Sequence, residues 1–189
     1  MNKVAWYSGL AISQHHFQTQ DSYYEFYESL RSEFSDLNYY GLKQLEVEEA
    51  PLAQGIIKIN KCAALFPDGT MVKLPAEHVD SLSISVDSND SEKILYLAIP
   101  GLSTQGKCVT SVESEYSNVR YRIQQQSVHD AMHGVRQSEA IDVLVPNFRL
   151  VIGQTVAQNC VLLPLLRIKS VTDSGGAVID KEYIVTKQK

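Results

Sequence analysis

The sequence has little cysteine and no long apolar run. Its three cysteines, Cys62, Cys108 and Cys160, are odd in number and widely spaced. They do not match the paired framework of a small secreted domain, so we expect a reducing compartment. Polar residues interrupt the apolar stretch that follows Lys3. We therefore expect neither a signal peptide nor a membrane-spanning segment, which needs about 20 apolar residues, and we predict a soluble cytoplasmic chain without direct membrane insertion.

Basic residues are too few and too dispersed for a nucleic-acid surface. The chain has 17 Lys and Arg against 22 Asp and Glu, a net charge of -5, whereas phosphate binding needs clustered cations. The sequence contains no Gly-x-Gly-x-x-Gly motif and no motif of the known hydrolase or protease types. We expect no nucleic-acid partner, no nucleotide or other cofactor, and no enzymatic activity.

The length allows one well-packed domain and is short for two. With 189 residues, 44% of them hydrophobic, one core with appendages is the economical interpretation. We expect an N-terminal arm at 1–20, an amphipathic helix at 21–38, a β-sandwich at 39–184 and an end segment at 185–189.

One helix is predicted after the arm. Four apolar residues follow each other at steps of four, three and four, which places them on one helix face: Tyr23, Tyr27, Leu30 and Phe34. Asp21 or Ser22 is the expected start, and Asn38 marks the expected end. The polar positions between them, such as Glu25, are expected to face water.

From Leu42 onward, short apolar runs broken by Gly, Pro, Asp and Asn predict an antiparallel β-sandwich. Strands are predicted near 42–48, 55–66, 71–74, 82–86, 94–99, 119–126, 140–145, 148–152, 161–169 and 176–184. Hairpin turns are predicted at Pro67-Asp68-Gly69 and at Asp173-Ser174-Gly175-Gly176, because proline and glycine suit the corners of tight turns.

Two longer stretches are predicted to be loops. The first, 101–118, is long enough to be functional. The second, 124–139, carries three consecutive glutamines and little apolar content, and we predict a helical turn at 128–132 within it. His129 and His133 would share a face of that turn at a metal-ligand spacing, but nothing adjacent supplies the third and fourth ligands of a zinc site. We predict no metal site.

The first two dozen residues carry aromatic and aliphatic side chains where most termini are polar and untethered. One short helix on one sheet cannot bury them all, and Trp and Tyr anchor most of the binding energy of protein interfaces. We therefore predict a partner-binding arm, and its candidate residues are Trp6, Tyr7, Leu10, Ile12, His16, Phe17 and Gln18. A catalytic pair of His15 or His16 with a cysteine is the weaker alternative. We expect His16 to bond to the backbone and fix a chain turn.

The same segment carries a resemblance to a known family. Nine residues fall in order on the opening pattern of the type VI secretion baseplate family TssK, also called ImpJ or VasE: Val4, Trp6, Gly9, Ile12, His16, Phe17, Gln18, Gln20 and Asp21. Similar pieces follow at 40–42, 66–70, 95–100, 147–150 and 163–168. The sequence departs from the pattern at Ser8, where an acid is usual, and at Gln14, where proline is usual.

The resemblance implies an architecture and a set of partners. The fold would be a β-sandwich shoulder like that of phage receptor-binding proteins, in a homotrimer that links the cytoplasmic wedge of TssF and TssG to the inner-membrane complex. Family members are more than twice as long. The chain is therefore expected to be an N-terminal portion that docks onto the wedge, with 185–189 as the start of a neck or a truncated end. The membrane complex would be reached only through a C-terminal region. The location would be cytoplasmic, peripheral to the inner membrane.

A different class of protein stays open at this stage. The chain could be a β-sandwich module that binds carbohydrate or peptide through the loop at 101–118. Such a module needs a concave, aromatic-lined groove, and that loop holds only Tyr116.

Overall fold

The computed structural model describes residues 1–35, 40–76, 79, 81–102, 107–112, 119–131, 134–153 and 159–183. Its helix and strands, in chain order, are β1 (Lys3–Val4), α1 (Gln14–Glu33), β2 (Gly41–Val47), β3 (Ile56–Leu65), β4 (Met71–Leu74), β5 (Ser83–Ser85), β6 (Ile94–Pro100), β7 (Val109–Thr110), β8 (Tyr121–Asp130), β9 (Gly134–Pro146), β10 (Arg149–Ile152), β11 (Cys160–Val171) and β12 (Ala177–Ile179). Short 3-10 helices lie at Ala50–Gln54 and Ser88–Asp90. The prediction of a mainly β chain with one α-helix is confirmed over these residues.

The ten predicted strands correspond to β2–β6 and β8–β12. Strands β1 and β7 were not predicted, because two residues are too short to show an alternating pattern. None of the described helices has both the length and the apolar character that crossing a membrane requires.

The chain divides into two compact units. The N-terminal unit comprises Met1–Glu33 and Leu102–Asn147, and the sandwich unit comprises Phe34–Gly101 and Phe148–Lys189. This differs from the predicted single sandwich at 39–184. The apolar pattern of a strand shows which of its faces is buried but not which sheet it joins, so the separate grouping of β7, β8 and β9 could not be predicted from the sequence.

Two sheets form the sandwich unit. One has the strand order β10-β6-β11-β12, and the other has the order β2-β3-β4 with β5 also paired to β3. Buried residues of both sheets belong to one hydrophobic cluster, among them Ile57, Leu97 and Leu163. Phe66 and Phe148 stack in this cluster with ring centroids 5.8 Å apart. The sandwich prediction therefore holds for this unit.

Both predicted hairpin turns are present. In the first, the Phe66 N–H donates to the Thr70 carbonyl at 2.8 Å, and Gly69 has a φ of +82°, which glycine adopts without a side-chain clash. In the second, the Thr172 N–H donates to the Gly176 carbonyl at 2.9 Å and connects β11 to β12.

The N-terminal unit is built on a sheet with the order β1-β9-β8-β7, against which α1 packs through β1, β8 and β9. Its longest part is the antiparallel pair β8 and β9, which runs from the Tyr121–Pro146 pair to the Asp130–Gly134 pair. Val143 and Val145 of β9 are fully buried.

The predicted loop at 124–139 is wrong, because β8 and β9 cover most of it. Along β8, Gln125, Ser127 and His129 are exposed while the residues between them are more buried. The strand period of two is therefore present, but polar side chains carry it and hide it from a hydrophobicity pattern. The predicted helical turn at 128–132 is also wrong for 128–130, which are strand. His133, the other half of the proposed metal-ligand spacing, lies outside the described residues.

Helix α1 begins at Gln14, seven residues before the predicted start, and ends at Glu33; the predicted end at Asn38 lies outside the described residues. His16, Tyr23 and Leu30 are seven apart and share the face turned to the sheet, and His16 and Leu30 are buried. The first turn was missed because an imidazole, rather than an aliphatic side chain, occupies the inward position there.

Candidate partner-binding surface

The start of α1 is fixed by a reciprocal contact between Ser13 and His16. The backbone N–H of Ser13 donates to His16 Nδ1 at 3.2 Å, and the Ser13 hydroxyl lies 3.0 Å from the same nitrogen. The N–H of His16 donates to the Ser13 carbonyl at 3.2 Å. A side chain at the third helical position that accepts from the N-cap N–H is one half of a capping box. The prediction that His16 bonds to the backbone and fixes a turn is confirmed.

The first two turns of α1 are attached to the end of the β8–β9 hairpin. Gln14 Nε2 donates to the carboxylate of Asp130, which is 2% exposed. One turn later, Gln18 Oε1 accepts from the backbone N–H of Ala131 at 3.2 Å. The two glutamines are four residues apart and therefore share a helix face. They set the position of α1 along the hairpin.

A close polar contact adds to this attachment. Nδ1 of His15 lies 2.8 Å from Oε2 of Glu139 on β9, without the alignment of a hydrogen bond. His15 is only 8% exposed. Neighbouring His15 and His16 thus have different tasks, since His15 contacts the sheet and His16 caps the helix.

The arm before α1 is held along β9. The N–H of Ala5 donates to the Asp142 carbonyl at 2.9 Å, and the Tyr7 hydroxyl donates to Asp142 Oδ2 at 2.9 Å. That hydrogen bond, with smaller effects of burial and of the negative charge, raises the pKa of Tyr7 above its usual value. Tyr7 thus remains a neutral donor across the physiological pH range.

Several large apolar side chains of this unit stay exposed. Trp6 is 49% exposed, Ile12 60%, and Phe17 and Tyr24 59% each. The Trp6 ring centroid lies 6.3 Å from that of Phe17, and the Trp6 indole N–H points to Gln20 Oε1 at 3.4 Å. Phe17 and Tyr24 are seven residues apart and hence on one face of α1. We call Trp6, Phe17 and Tyr24 the aromatic surface.

The adjacent face of α1 turns its aromatic residues inward. Tyr23 is half-buried, and burial is the main cause that raises the pKa of its hydroxyl to about 12, with nearby Tyr121, Tyr27 and Tyr24 adding to it. The Tyr23 and Tyr27 ring centroids are 6.0 Å apart. The clustered aromatics at the N-terminus therefore divide between a packed inner face and the exposed aromatic surface.

The structure brings the seven predicted site residues to one region of the N-terminal unit, in different environments. Trp6, Tyr7, Ile12 and Phe17 are exposed and Leu10 is half-buried. His16, at 3% exposed, and Gln18 are engaged in the cap and the hairpin attachment. Tyr24 belongs to the surface but was not among the predicted site residues, although its spacing of seven from Phe17 was visible in the sequence.

Cys62 gives no support to the catalytic alternative. Cys62 is buried in β3, and burial raises the pKa of its thiol to about 12, so that it stays protonated at neutral pH and is not nucleophilic. Cys160 Sγ accepts from Arg149 Nη2 at 3.0 Å. Among the described residues, no three His, Cys, Asp or Glu side chains are grouped as metal ligands.

The sandwich unit has an open groove of about 430 Å³. Aliphatic side chains of β2, β11 and β12 form most of its lining, and Tyr183 is its one aromatic residue among those described. None of its described lining residues belongs to the loop at 101–118, so it is not the groove predicted for a carbohydrate- or peptide-binding module. Tyr116 of the proposed binding loop lies outside the described residues.

Replacing His16 tests the cap. We expect His16→Ala to lower the free energy of unfolding by about 1–2 kcal/mol, the usual effect of losing a helix cap. His16→Gln should recover part of this loss, because a glutamine at the same position can accept from the Ser13 N–H. Urea titrations followed by far-UV circular dichroism measure both. Equal stability of His16→Ala and the unchanged protein would show that the cap contributes nothing.

The fold and this surface define a mainly β structural module with exposed aromatic residues on a helix attached to its sheet. The model of the family described as "Bacterial Type VI secretion, VC_A0110, EvfL, ImpJ, VasE" matches residues 16–187. The chain belongs to this VasE/ImpJ family of type VI secretion proteins, which confirms the resemblance in the sequence.

A known relative agrees with this assignment. The chain is 25% identical to the type VI secretion system baseplate component TssK1 of Pseudomonas aeruginosa over 184 residues, which is 97% of this chain and 41% of that protein. It thus spans less than half the length of this relative.

Solved structures share the fold. A crystal structure of TssK matches with a TM-score of 0.68 and 23% identity over 94% of this chain and 40% of the other. A chain of the type VI secretion system TssK-TssF-TssG baseplate subcomplex, determined by cryo-electron microscopy, matches with a TM-score of 0.67 and 17% identity, over 95% of this chain and 60% of the other.

Proposed function

We propose that this chain is a structural part of a type VI secretion baseplate and docks onto a wedge of TssF and TssG through its N-terminal unit. Family membership supports the secretion system, and the baseplate relative supports the assembly. A protein of the same fold occurs in a subcomplex with TssF and TssG. Docking by the N-terminal unit is the further step, and its support comes from the surface described above.

The observation that carries the proposal is the exposed aromatic surface on a firmly attached helix. Trp6, Phe17 and Tyr24 are all about half exposed or more, while the cap and the contacts to Asp130, Ala131 and Glu139 hold α1 in place. Exposed aromatics are usual at binding hot spots. A preorganised surface loses less conformational entropy when it binds.

The arm and the first turns of α1 play two roles in this proposal. The residues that contact the partner are Trp6, Tyr7, Ile12 and Phe17. Leu10 lies at the edge of the contact surface. His16 and Gln18 act as positioning residues, because both are bonded within the unit and more buried than the contact residues. The proposed location is the cytoplasmic side of the inner membrane, where a homotrimer of the full-length protein reaches the membrane complex through its C-terminal region.

Co-purification with tagged TssF and TssG from the same genome tests the proposal. We expect the full-length protein to be retained with the two wedge proteins together. A deletion of 1–20 is unsuitable, because it removes β1 and the cap of α1 and would unfold the unit. Point variants of the aromatic surface are the appropriate comparison. A folded full-length protein that is not retained by TssF and TssG would contradict the proposed function.

A further inference from the structure

We propose that the partner segment bound by the aromatic surface is amphipathic and carries Lys or Arg along one side of its apolar residues. This inference rests on the proposed function and specifies the partner's chemistry. It derives from three acidic residues that border the aromatic surface: Asp21, Glu25 and Glu28, which we call the acidic row.

Helix geometry places the acidic row beside the aromatic residues. Asp21 follows Phe17 by four residues, and Glu28 follows Tyr24 by four. Each of these two acids therefore lies one turn further along the same side of α1 as its aromatic residue. Gln20, which contacts Trp6, follows Phe17 by three and lies on the other side. The surface therefore has an apolar edge at Trp6 and an acidic edge at the row, and all three acids are exposed.

The described contacts that attach α1 to the sheet do not involve the row. Within the part of the chain that the structure describes, Asp21, Glu25 and Glu28 form no ion pair and no hydrogen bond through their side chains. Arg31, three residues after Glu28, is the one opposite charge at helical spacing from the row on α1. Asp21 and Glu25 are spaced by four and Glu25 and Glu28 by three, and like charges at these spacings destabilise a helix.

Favourable interaction with the helix dipole does not explain the row either. The dipole stabilises acids only within the first turn, and α1 has no acidic residue there. A charge pattern that costs stability beside an exposed apolar stripe is explained by a partner with the opposite charge. Complementary charges at the rim of an interface favour the encounter and fix the partner's orientation.

A charge-neutralising triple variant tests this inference in the full-length protein. This variant combines three substitutions that keep side-chain size and remove three charges: Asp21→Asn, Glu25→Gln and Glu28→Gln. The matched control removes three exposed acids of the sandwich unit by Glu49→Gln, Asp173→Asn and Glu182→Gln. Affinity for the purified TssF–TssG complex is measured at 50 and 500 mM NaCl, and thermal unfolding of each protein is recorded by circular dichroism.

We expect the row variant to bind about tenfold more weakly at low salt, to lose most of that difference at 500 mM NaCl, and to unfold at an equal or higher temperature. The control should bind as the unchanged protein does. Unchanged affinity of the row variant, with loss of binding by an aromatic-surface variant, would overturn this inference and leave the proposed function standing. Failure of the unchanged protein to bind would contradict both.

Two further outcomes would also overturn the inference. A lower unfolding temperature of the row variant would mean that the acids stabilise the unit itself. A change in the oligomeric state of the protein, seen by light scattering without a change in wedge affinity, would assign the row to contacts with a second copy.

Discussion

Replacing Trp6 and Phe17 together by alanine is expected to weaken binding to the TssF–TssG wedge by about 100-fold or more, since one aromatic hot spot contributes about 2 kcal/mol or more. The unfolding temperature should change little, because 49% of Trp6 and 59% of Phe17 are exposed. Surface plasmon resonance with immobilised TssF–TssG measures the affinity, and circular dichroism measures the folding.

The chain offers matched controls for this double variant. Leu102 is 71% exposed and lies in the same unit, and Val178 is 38% exposed in the sandwich unit. Alanine at either position should leave the affinity within about twofold, since most exposed contacts outside a hot spot are nearly neutral. Loss of binding by the Val178 variant but not by the double variant would move the docking surface to the sandwich unit.

The largest effect on stability is expected from Phe66→Ala in the core of the sandwich unit. Phe66 is fully buried and stacks on Phe148 at a 23° interplanar angle. Removing a buried phenylalanine costs about 3–5 kcal/mol, through lost burial and the cavity that remains. Urea unfolding measures this loss, and Phe66→Leu should lose less because it fills part of the cavity.

The choice of probe matters for that experiment. The single tryptophan, Trp6, lies in the N-terminal unit, so its fluorescence reports on the wrong unit. Far-UV circular dichroism records the backbone of both units and therefore includes the strands of the sandwich. A change below about 0.5 kcal/mol, the range typical of surface substitutions rather than of core cavities, would contradict the packing described here.

The sandwich could be predicted from the sequence because its strands are apolar and its turns use glycine. The apolar run from Val161 to Ile168 predicts a strand, and Pro67-Asp68-Gly69 predicts a turn. Each prediction needs only the residues of the segment itself. The β8–β9 hairpin was harder to predict. Exposed and more buried positions alternate along β8, but residues such as Gln125, Ser127 and His129 are polar, so no alternation of hydrophobic and polar residues marks the strand. The division into two units depends on which strands pair, and no local pattern contains that information.

The candidate surface was only partly visible. An excess of aromatic residues near the N-terminus predicted an interface, and the structure shows Trp6 and Phe17 exposed side by side. The sequence did not distinguish contact residues from positioning residues. His16 caps α1 through Ser13, a role that depends on where the helix begins, and the helix start was predicted seven residues too late.

Site-specific photocrosslinking tests the central claim most directly. A photoreactive phenylalanine derivative at position 17 keeps an aromatic ring on the outward face of α1, and the same group at position 178 serves as the control. On irradiation of the assembled full-length protein with TssF and TssG, we expect position 17 to crosslink to a wedge subunit and position 178 to give no such product. A wedge crosslink from position 178 and none from position 17 would contradict docking through the N-terminal unit.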